Sequence, residues 1–436
     1  MTKQSVVKIG FVGLGVVGQG VWKHLEADLT SLEERLGVRI ELSRAAVSDL
    51  NKKRGIEIDK SLLTTDPMAV ARDPQIDILC ELMGGVDQAK TVTLAAFETG
   101  KTVVSANKAL ICDHGAELFE VARAKGCNYF FEASVAGGIP IIKSIREGLV
   151  ANRFPCIYGI LNGTCNYILT RMEREQLGFE EIVQDARRLG YVEADESLDL
   201  DGWDTAHKTV ILTYLAHSQW VPMDKIAVEG IRKISLEDIS VAKELGYKIK
   251  LLGIVTHDFV NHSPSVRIHP ALLPLSNPLA TVDDVYNAVS VKGDIVGSTL
   301  YVGRGAGQDA TASAVISDIV DAIVDWGKPS SIGMPSISQN EKDGLSSTQA
   351  AKPMSEFYLR FKVIDQAGVL ADVATIMARH NISIDSVLQR PISKGFSQLI
   401  LTTHKSEEEA MQKALKELEK SPLVKTEPFL LRIIDF

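Results

Sequence analysis

Near its N-terminus the chain runs Val7-Lys8-Ile9-Gly10-Phe11-Val12, then Gly13-Leu14-Gly15-Val16-Val17-Gly18, then Gln19-Gly20-Val21-Trp22-Lys23-His24-Leu25. An apolar strand, a G-x-G-x-x-G turn and the head of an amphipathic helix, in that order, constrain the fold more than any other feature. Gly13 permits the tight turn, Gly15 lets backbone approach a pyrophosphate, and Gly18 lets helix and strand pack closely. Val16 and Val17 open the helix, whose first-turn N–H groups lack intrahelical acceptors and attract an anion. A nicotinamide or flavin cofactor is the expected ligand.

The same alternation continues. Short apolar strands at 38–47, 76–82, 101–105 and 128–133 are separated by helical stretches such as 87–98 and 116–125. Strands alternating with helices predict a doubly wound parallel sheet of the Rossmann type over residues 1–136. From 137 to 307 the pattern changes to helices at 140–149, 179–189 and 204–216, followed by strand-rich sequence, as in a separate α+β domain for substrate and dimerisation. One apolar-periodic helix, at about 308–328, is expected to return and complete the first domain. Residues 328–352 are rich in Ser, Gly and Pro, the composition of a linker. The tail, 353–436, reads β-α-β-β-α-β, a ferredoxin-like order.

With 436 residues and 24% charged side chains, the chain reads as globular. Its net charge of −9 leaves no basic face for phosphates, so neither nucleic acid nor membrane is an expected partner, and small-molecule chemistry is favoured. No apolar run approaches a membrane span and no signal segment opens the chain, which predicts a cytoplasmic protein. The five cysteines are scattered and never in C-x-x-C spacing, so they are read as reduced.

Three further clusters carry chemistry. Ser105-Ala106-Asn107-Lys108 ends a strand, the edge where open α/β sheets bind ligands, and Lys108 there could serve a phosphate, a carboxylate or the reaction. Phe131-Glu132-Ala133-Ser134-Val135-Ala136-Gly137-Gly138-Ile139-Pro140 reads either as a tight turn or as a run of carbonyls able to hold a monovalent cation. The densest cluster spans 189–208. Asp204 and Lys208, four apart at the head of a helix, share one face and can form a couple for proton transfer; the plain alternative is a surface ion pair. The acids between Glu193 and Asp204 are costly to crowd unless they meet a cation or an ammonium group. Metal ligation is the rival reading, weakened by the lack of EF-hand spacing and of a second histidine near His207.

G-L-G-V-V-G at 13–18, S-A-N-K-A-L at 105–110, F-E-A-S-V-A-G-G-I-P at 131–140, N-G-T-C-N-Y-I at 162–168, the run from Leu189 to Lys208 and G-R-G-A-G at 303–307 together resemble homoserine dehydrogenase over roughly residues 5–330. The tail resembles an ACT domain, with Asp365-Gln366-Ala367-Gly368-Val369-Leu370 at the turn where such domains bind an effector. The resemblance implies the monofunctional form: reversible NAD(P)H-dependent reduction of L-aspartate 4-semialdehyde to L-homoserine in threonine, methionine and isoleucine biosynthesis. It implies an amino-acid effector, L-threonine foremost, and a homodimer or homotetramer. By motif, Lys208 resembles the proton donor, Asp204 its positioning and substrate-binding partner, and Lys108 a second candidate for the proton relay. Glu193 resembles the ligand of the substrate ammonium group, with Asp199, Tyr191 and Thr164 as pocket residues. Ser105, Lys108, Gly190 and Gly305 match cofactor contacts, and Glu132, Val135, Gly137 and Ile139 match the carbonyl ligands of a structural sodium ion.

Cofactor preference turns on Val47-Ser48-Asp49 and the basic residues after it. An inward Asp49 would select NAD, whereas Ser48 and Arg54 facing the ribose would accept NADP. The expectation is NADP with NAD also used. The rival functions are another NAD(P)-dependent amino-acid or semialdehyde oxidoreductase, and a cofactor-binding sensor without activity.

Overall fold

The computed structural model describes residues 6–188, 196–260, 263–326 and 354–435. Strands β1 (Val6–Val12), β2 (Arg39–Ala46), β3 (Leu63–Thr64), β4 (Ile78–Glu81), β5 (Thr102–Ser105) and β6 (Tyr129–Phe130) form a parallel sheet in the order β3-β2-β1-β4-β5-β6. Val7, Ile9, Phe11 and Ile78 have no exposed surface, as expected of strands covered on both faces. The covering helices are α1 (Val16–Leu36), α2 (Pro67–Ala71), α3 (Asp87–Glu98) and α4 (Lys108–Lys125). Strand order reverses between β1 and β4, so a crevice opens at their C-terminal ends. The strand expected to reach residue 133 stops at Phe130, because the chain turns through Glu132–Ser134 and Glu132 N bonds Asp318 Oδ2 at 2.8 Å. The helix expected over 140–149 is α5 (Ile141–Lys143) continued by a wider turn over Ser144–Gly148.

The second sheet begins with β7 (Cys156–Ile160), and α6 (Gly163–Glu175), α7 (Phe179–Arg188), α8 (Ser197–Leu200) and α9 (Trp203–His217) follow. After β8 (Ala227–Val228) and α10 (Leu236–Glu244) come the long antiparallel pair β9 (Tyr247–Asp258) and β10 (Ser263–Pro274), then β11 (Tyr286–Gly293) and β12 (Gly297–Arg304). Helix α9 lies against this sheet closely enough that a Cβ at Gly253 would meet Thr209 Oγ1 at 2.1 Å. Helix α11 (Gln308–Val324) then returns to the first domain. It crosses α1 at Gly20, where an added Cβ would sit 3.2 Å from Ala312 Cβ.

The tail comprises β13 (Met354–Ile364), α12 (Val369–Arg379), β14 (Ile384–Ser393), β15 (Phe396–Thr403), β16 (Ser406–Glu407), α13 (Glu408–Lys420) and β17 (Phe429–Ile433). Its strands run β17-β13-β15-β14, the ferredoxin-like order. This unit does not hang apart on its linker. β17 pairs in parallel with β10 (Ala271 with Arg432, Leu272 with Ile433), so both domains share one sheet. Tyr358, Ile400, Leu431 and Ile433 enter the same apolar cluster as Ile268 and Leu272. At roughly 1.5–3 kcal/mol for each large side chain buried, this seam is a substantial part of the stability of both units.

Candidate active site

The glycine turn is built as its spacing predicts. Gly13 has φ of 102°, and a Cβ there would meet Leu82 O at 2.5 Å. A Cβ at Gly18 would meet Gly13 O at 2.3 Å, so helix and strand touch backbone to backbone. Gly15 by contrast looks into open space, Val16 is exposed, and the first turn of α1 carries neither an acid nor a side-chain cap, which leaves its amides facing an anion site. A cavity of about 370 Å³ lies over this turn, and Ser48, Lys52, Arg54 and Met83 are among the residues around it. Gln19 fastens its rim: Nε2 donates to Leu14 O at 3.1 Å and Oε1 accepts from Gly55 N at 2.7 Å. Asp49 turns its carboxylate on the N–H of Asn51 (2.8 Å), and Arg54 donates to the Asp49 carbonyl at 2.6 Å. The wall near the end of β2 is therefore hydroxyl and cation.

The second part of the site is centred on Asp204, 6% exposed at the head of α9. Its Oδ2 accepts from Lys208 Nζ at 2.7 Å and from Asn162 Nδ2 at 2.9 Å, while Oδ1 lies 3.0 Å from Lys108 Nζ. Burial alone would raise this carboxyl, but the ammonium groups of Lys208 and Lys108 outweigh it and hold Asp204 well below the usual carboxylate range. Lys208 also donates to Leu161 O at 2.7 Å, and Asn287 Nδ2 reaches the same oxygen at 2.9 Å. Asn162 caps α6 through Cys165 N (2.8 Å) and bonds Asp199 Oδ1 at 2.7 Å. Burial pushes the Asp199 carboxyl up against that bond. Thr164, half-buried, follows in the first turn of α6. Lys108 arrives from the first domain at the start of α4 and is 41% exposed, so the couple spans the cleft between domains.

The turn at 132–139 packs against the segment that follows β12. The Glu132 side chain caps α5, accepting from Ile142 N at 2.9 Å and Lys143 N at 2.7 Å, and burial lifts its carboxyl to about 7. Val135 and Ile139 are core residues. Gly137 approaches so near that a Cβ would meet Gly305 O at 2.6 Å, and Gly138 N bonds Arg304 O at 2.9 Å. Gly305 in turn leaves the room that the Asn287 amide occupies, since a Cβ there would meet it at 2.0 Å. Gly190, Tyr191 and Glu193 lie outside the described residues. Burial pushes the His207 imidazole below its ordinary range, and among the described residues no group of three or more His, Cys, Asp or Glu is placed to hold a metal.

Comparison with known proteins decides the family. The model for homoserine dehydrogenase matches residues 140–320, that for the homoserine dehydrogenase NAD-binding domain matches 13–132, and that for the ACT domain matches 357–422. The chain is 41% identical over 420 residues to homoserine dehydrogenase of Pseudomonas aeruginosa, covering 95% of each chain. It is 38% identical over 411 residues to that of Bacillus subtilis, covering 92% of this chain and 93% of the other. The crystal structure of a homoserine dehydrogenase from Thiobacillus denitrificans superposes with a TM-score of 0.89 at 40% identity, over 99% of this chain and all of that one. The chain belongs to the homoserine dehydrogenase family. It is an NAD(P)-binding oxidoreductase of amino-acid biosynthesis that carries an ACT domain.

The structure adds residues to this homoserine dehydrogenase site that motif reading passed over. Asn162 was legible as a helix cap in N-G-T-C, but not as the amide joining Asp199 to Asp204. Asn287 lay in an ordinary strand pattern, and nothing near it in sequence signals that it shares the Leu161 carbonyl with Lys208. Glu81 ends β4 within an apolar run, fully buried, beside Ser105.

Proposed function

We propose that the enzyme reduces L-aspartate 4-semialdehyde to L-homoserine with NADPH, accepts NADH as well, and runs the reaction reversibly with Lys208 as proton donor. The observation that carries this reading is the Asp204 carboxylate held between two ammonium groups in the interdomain cleft. The bound nicotinamide supplies the hydride to the aldehyde carbon. As negative charge develops on the aldehyde oxygen, the Lys208 ammonium stabilises it and delivers its proton, leaving the hydroxyl of homoserine and a neutral amine that solvent or Lys108 recharges. Asp204 holds Lys208 in place through their 2.7 Å bond. Glu193 takes the α-ammonium group of the substrate, and Asp199, Tyr191 and Thr164 complete the pocket.

The cavity over Gly13 and Gly15 takes the pyrophosphate, with Val16, Val17 and Gly18 of the same turn as further contacts, and Ser105, Lys108, Gly190 and Gly305 are assigned to the nicotinamide end. Ser48, Lys52 and Arg54 on the cavity wall, with the Asp49 carboxylate engaged by Asn51, support NADP as the preferred form. The carbonyls of Glu132, Val135, Gly137 and Ile139 are neutral hard donors, and left-handed φ at Ala136 (56°) and Gly137 (49°) curls this segment; the set suits a structural Na+. The ACT turn from Asp365 to Leu370 is the proposed seat of an amino-acid effector, L-threonine, in a cytoplasmic homodimer or homotetramer. Oxidation of NADPH and of NADH with aspartate semialdehyde, measured side by side, tests the reading. Faster use of NADH would reverse the cofactor preference, and no turnover with either would remove the reaction.

A further inference from the structure

Glu81 is a buried acid that the reaction scheme leaves unused. It ends β4 with no exposed surface, and burial lifts its carboxyl to about 7 against the hydrogen bonds it receives. No ion pair to it is made among the described residues, so it is a costly group to keep in a core. Its bonds run in two directions. Oε1 accepts from Met83 N at 3.1 Å, and Met83 with Gly84 lines the cofactor cavity. Oε2 accepts from Ser105 Oγ at 2.7 Å, whose oxygen accepts from Asn107 N at 3.0 Å. The Asn107 side chain then donates to Gly85 O at 2.7 Å and caps α4 by accepting from Leu110 N at 3.1 Å. Lys108 is the first residue of that helix, and its Nζ lies 3.0 Å from Asp204. On the far side, Tyr129 of β6 has its hydroxyl pushed up by burial and by Glu81 itself.

One carboxylate thus joins the loop after β4, beside the cofactor, to the loop after β5, which carries Lys108. We propose that Glu81 is a positioning residue: through Ser105 and Asn107 it sets where α4 begins and so holds Lys108 against Asp204, while fixing the Met83–Gly85 loop at the cofactor. The proposal rests on the assignment of Lys108 to the proton relay. Glutamine keeps the shape of Glu81 but accepts from only one of its two donors, so the loops lose their common anchor.

The test is Glu81→Gln in the full-length enzyme. For homoserine oxidation kcat falls about tenfold, the scale of a modest misplacement of a reacting group, while KM for homoserine stays within about twofold. Tm does not fall, because removing a carboxyl that is costly to ionise in the core offsets the hydrogen bond lost with it; a merely structural residue would give the opposite pattern, a lower Tm with parental kcat. In a Lys108→Ala background, adding Glu81→Gln costs nothing further in kcat, since the loss of turnover runs through Lys108, while the loosened Met83–Gly85 loop is read separately as a raised KM for the cofactor. Ser105→Ala breaks the next link and gives the same loss of kcat, which keeps the proposal open to refutation if Glu81→Gln does not fold. Parental kcat in either variant, or a tenfold loss that persists on top of Lys108→Ala, overturns it. Parental turnover in Lys108→Ala alone is a separate result: it removes the Lys108 assignment, and the proposal with it.

Discussion

Two buried aspartates sit where separate parts of the chain meet, and they hold their partners differently. Asp204, 6% exposed, joins α9 to α4 across the cofactor cleft; Asp238, with no exposed surface, joins α10 to β13 at the ACT seam. At Asp238 every lone pair is engaged by rigid or local donors. Oδ1 accepts from Tyr358 Oη at 3.0 Å and Arg360 Nε at 2.5 Å, and Oδ2 from Arg360 Nη2 at 3.0 Å and Ser235 N at 2.9 Å. A guanidinium fork never loses its proton and fixes two bonds at once, so this arrangement can only close. At Asp204 the cations are primary ammonium groups on flexible stems, one of them 41% exposed to the cleft. Such groups can change partner and give up a proton. Two buried carboxylates are therefore suited to a clasp in one place and, on the proposed reaction, to acid–base chemistry in the other, and the identity of the cation makes the difference.

The comparison breaks first if Lys208 is dispensable. Lys208→Ala should lower kcat by roughly 10²- to 10⁴-fold, the scale of a positioned acid, with NADPH affinity nearly unchanged by direct titration. Near-parental turnover would reduce the Asp204 couple to a clasp like the other. Asp238→Ala should leave the Arg360 guanidinium uncompensated at a buried seam and cost about 3 kcal/mol of stability, read as a lower urea midpoint, while kcat at 25 °C stays parental. A fall in kcat without loss of stability would mean that the seam communicates with the cleft. Glu193→Gln removes a charge but little volume, so KM for homoserine should rise about tenfold with a smaller change in kcat. An unchanged KM would place the ammonium ligand elsewhere.

The smallest expected effect is on regulation. Deleting the tail is a poor probe, because it would strip β17 from β10 and open the cluster around Ile268 and Leu272. Asp365→Ala is milder: among the described residues Asp365 Oδ1 accepts a single 3.3 Å bond, from Gln389 at an exposed turn. Basal turnover should stay parental while inhibition by threonine weakens, provided the effector binds two states of the enzyme unequally. Undiminished inhibition would locate the effector outside that turn.

Much of this molecule was written locally. The strand, turn and helix around Gly13, Gly15 and Gly18 depend on conformational freedom and close approach within a dozen residues, so spacing alone announces them. The couple of Asp204 and Lys208 is one helical turn, equally readable. The β-α-β-β-α-β order of the tail came from periodicity. What tertiary structure decided are contacts that no window of sequence contains. Asn287 reaches Leu161 across 126 residues, and Lys108 meets Asp204 only because a second domain folds over the first. Glu132, whose carbonyl the resemblance offers to a cation, uses its carboxylate as a helix cap, a role visible only once α5 is placed against it. The shared sheet is the largest such case: β10 and β17 each read as ordinary strands, and their pairing depends on which edges are left open when two independent patterns have folded. Local sequence sets backbone conformation and the chemistry each segment can offer; which offers meet is settled by burial, because an acid or an amide in the core must find its partner wherever the topology brings one.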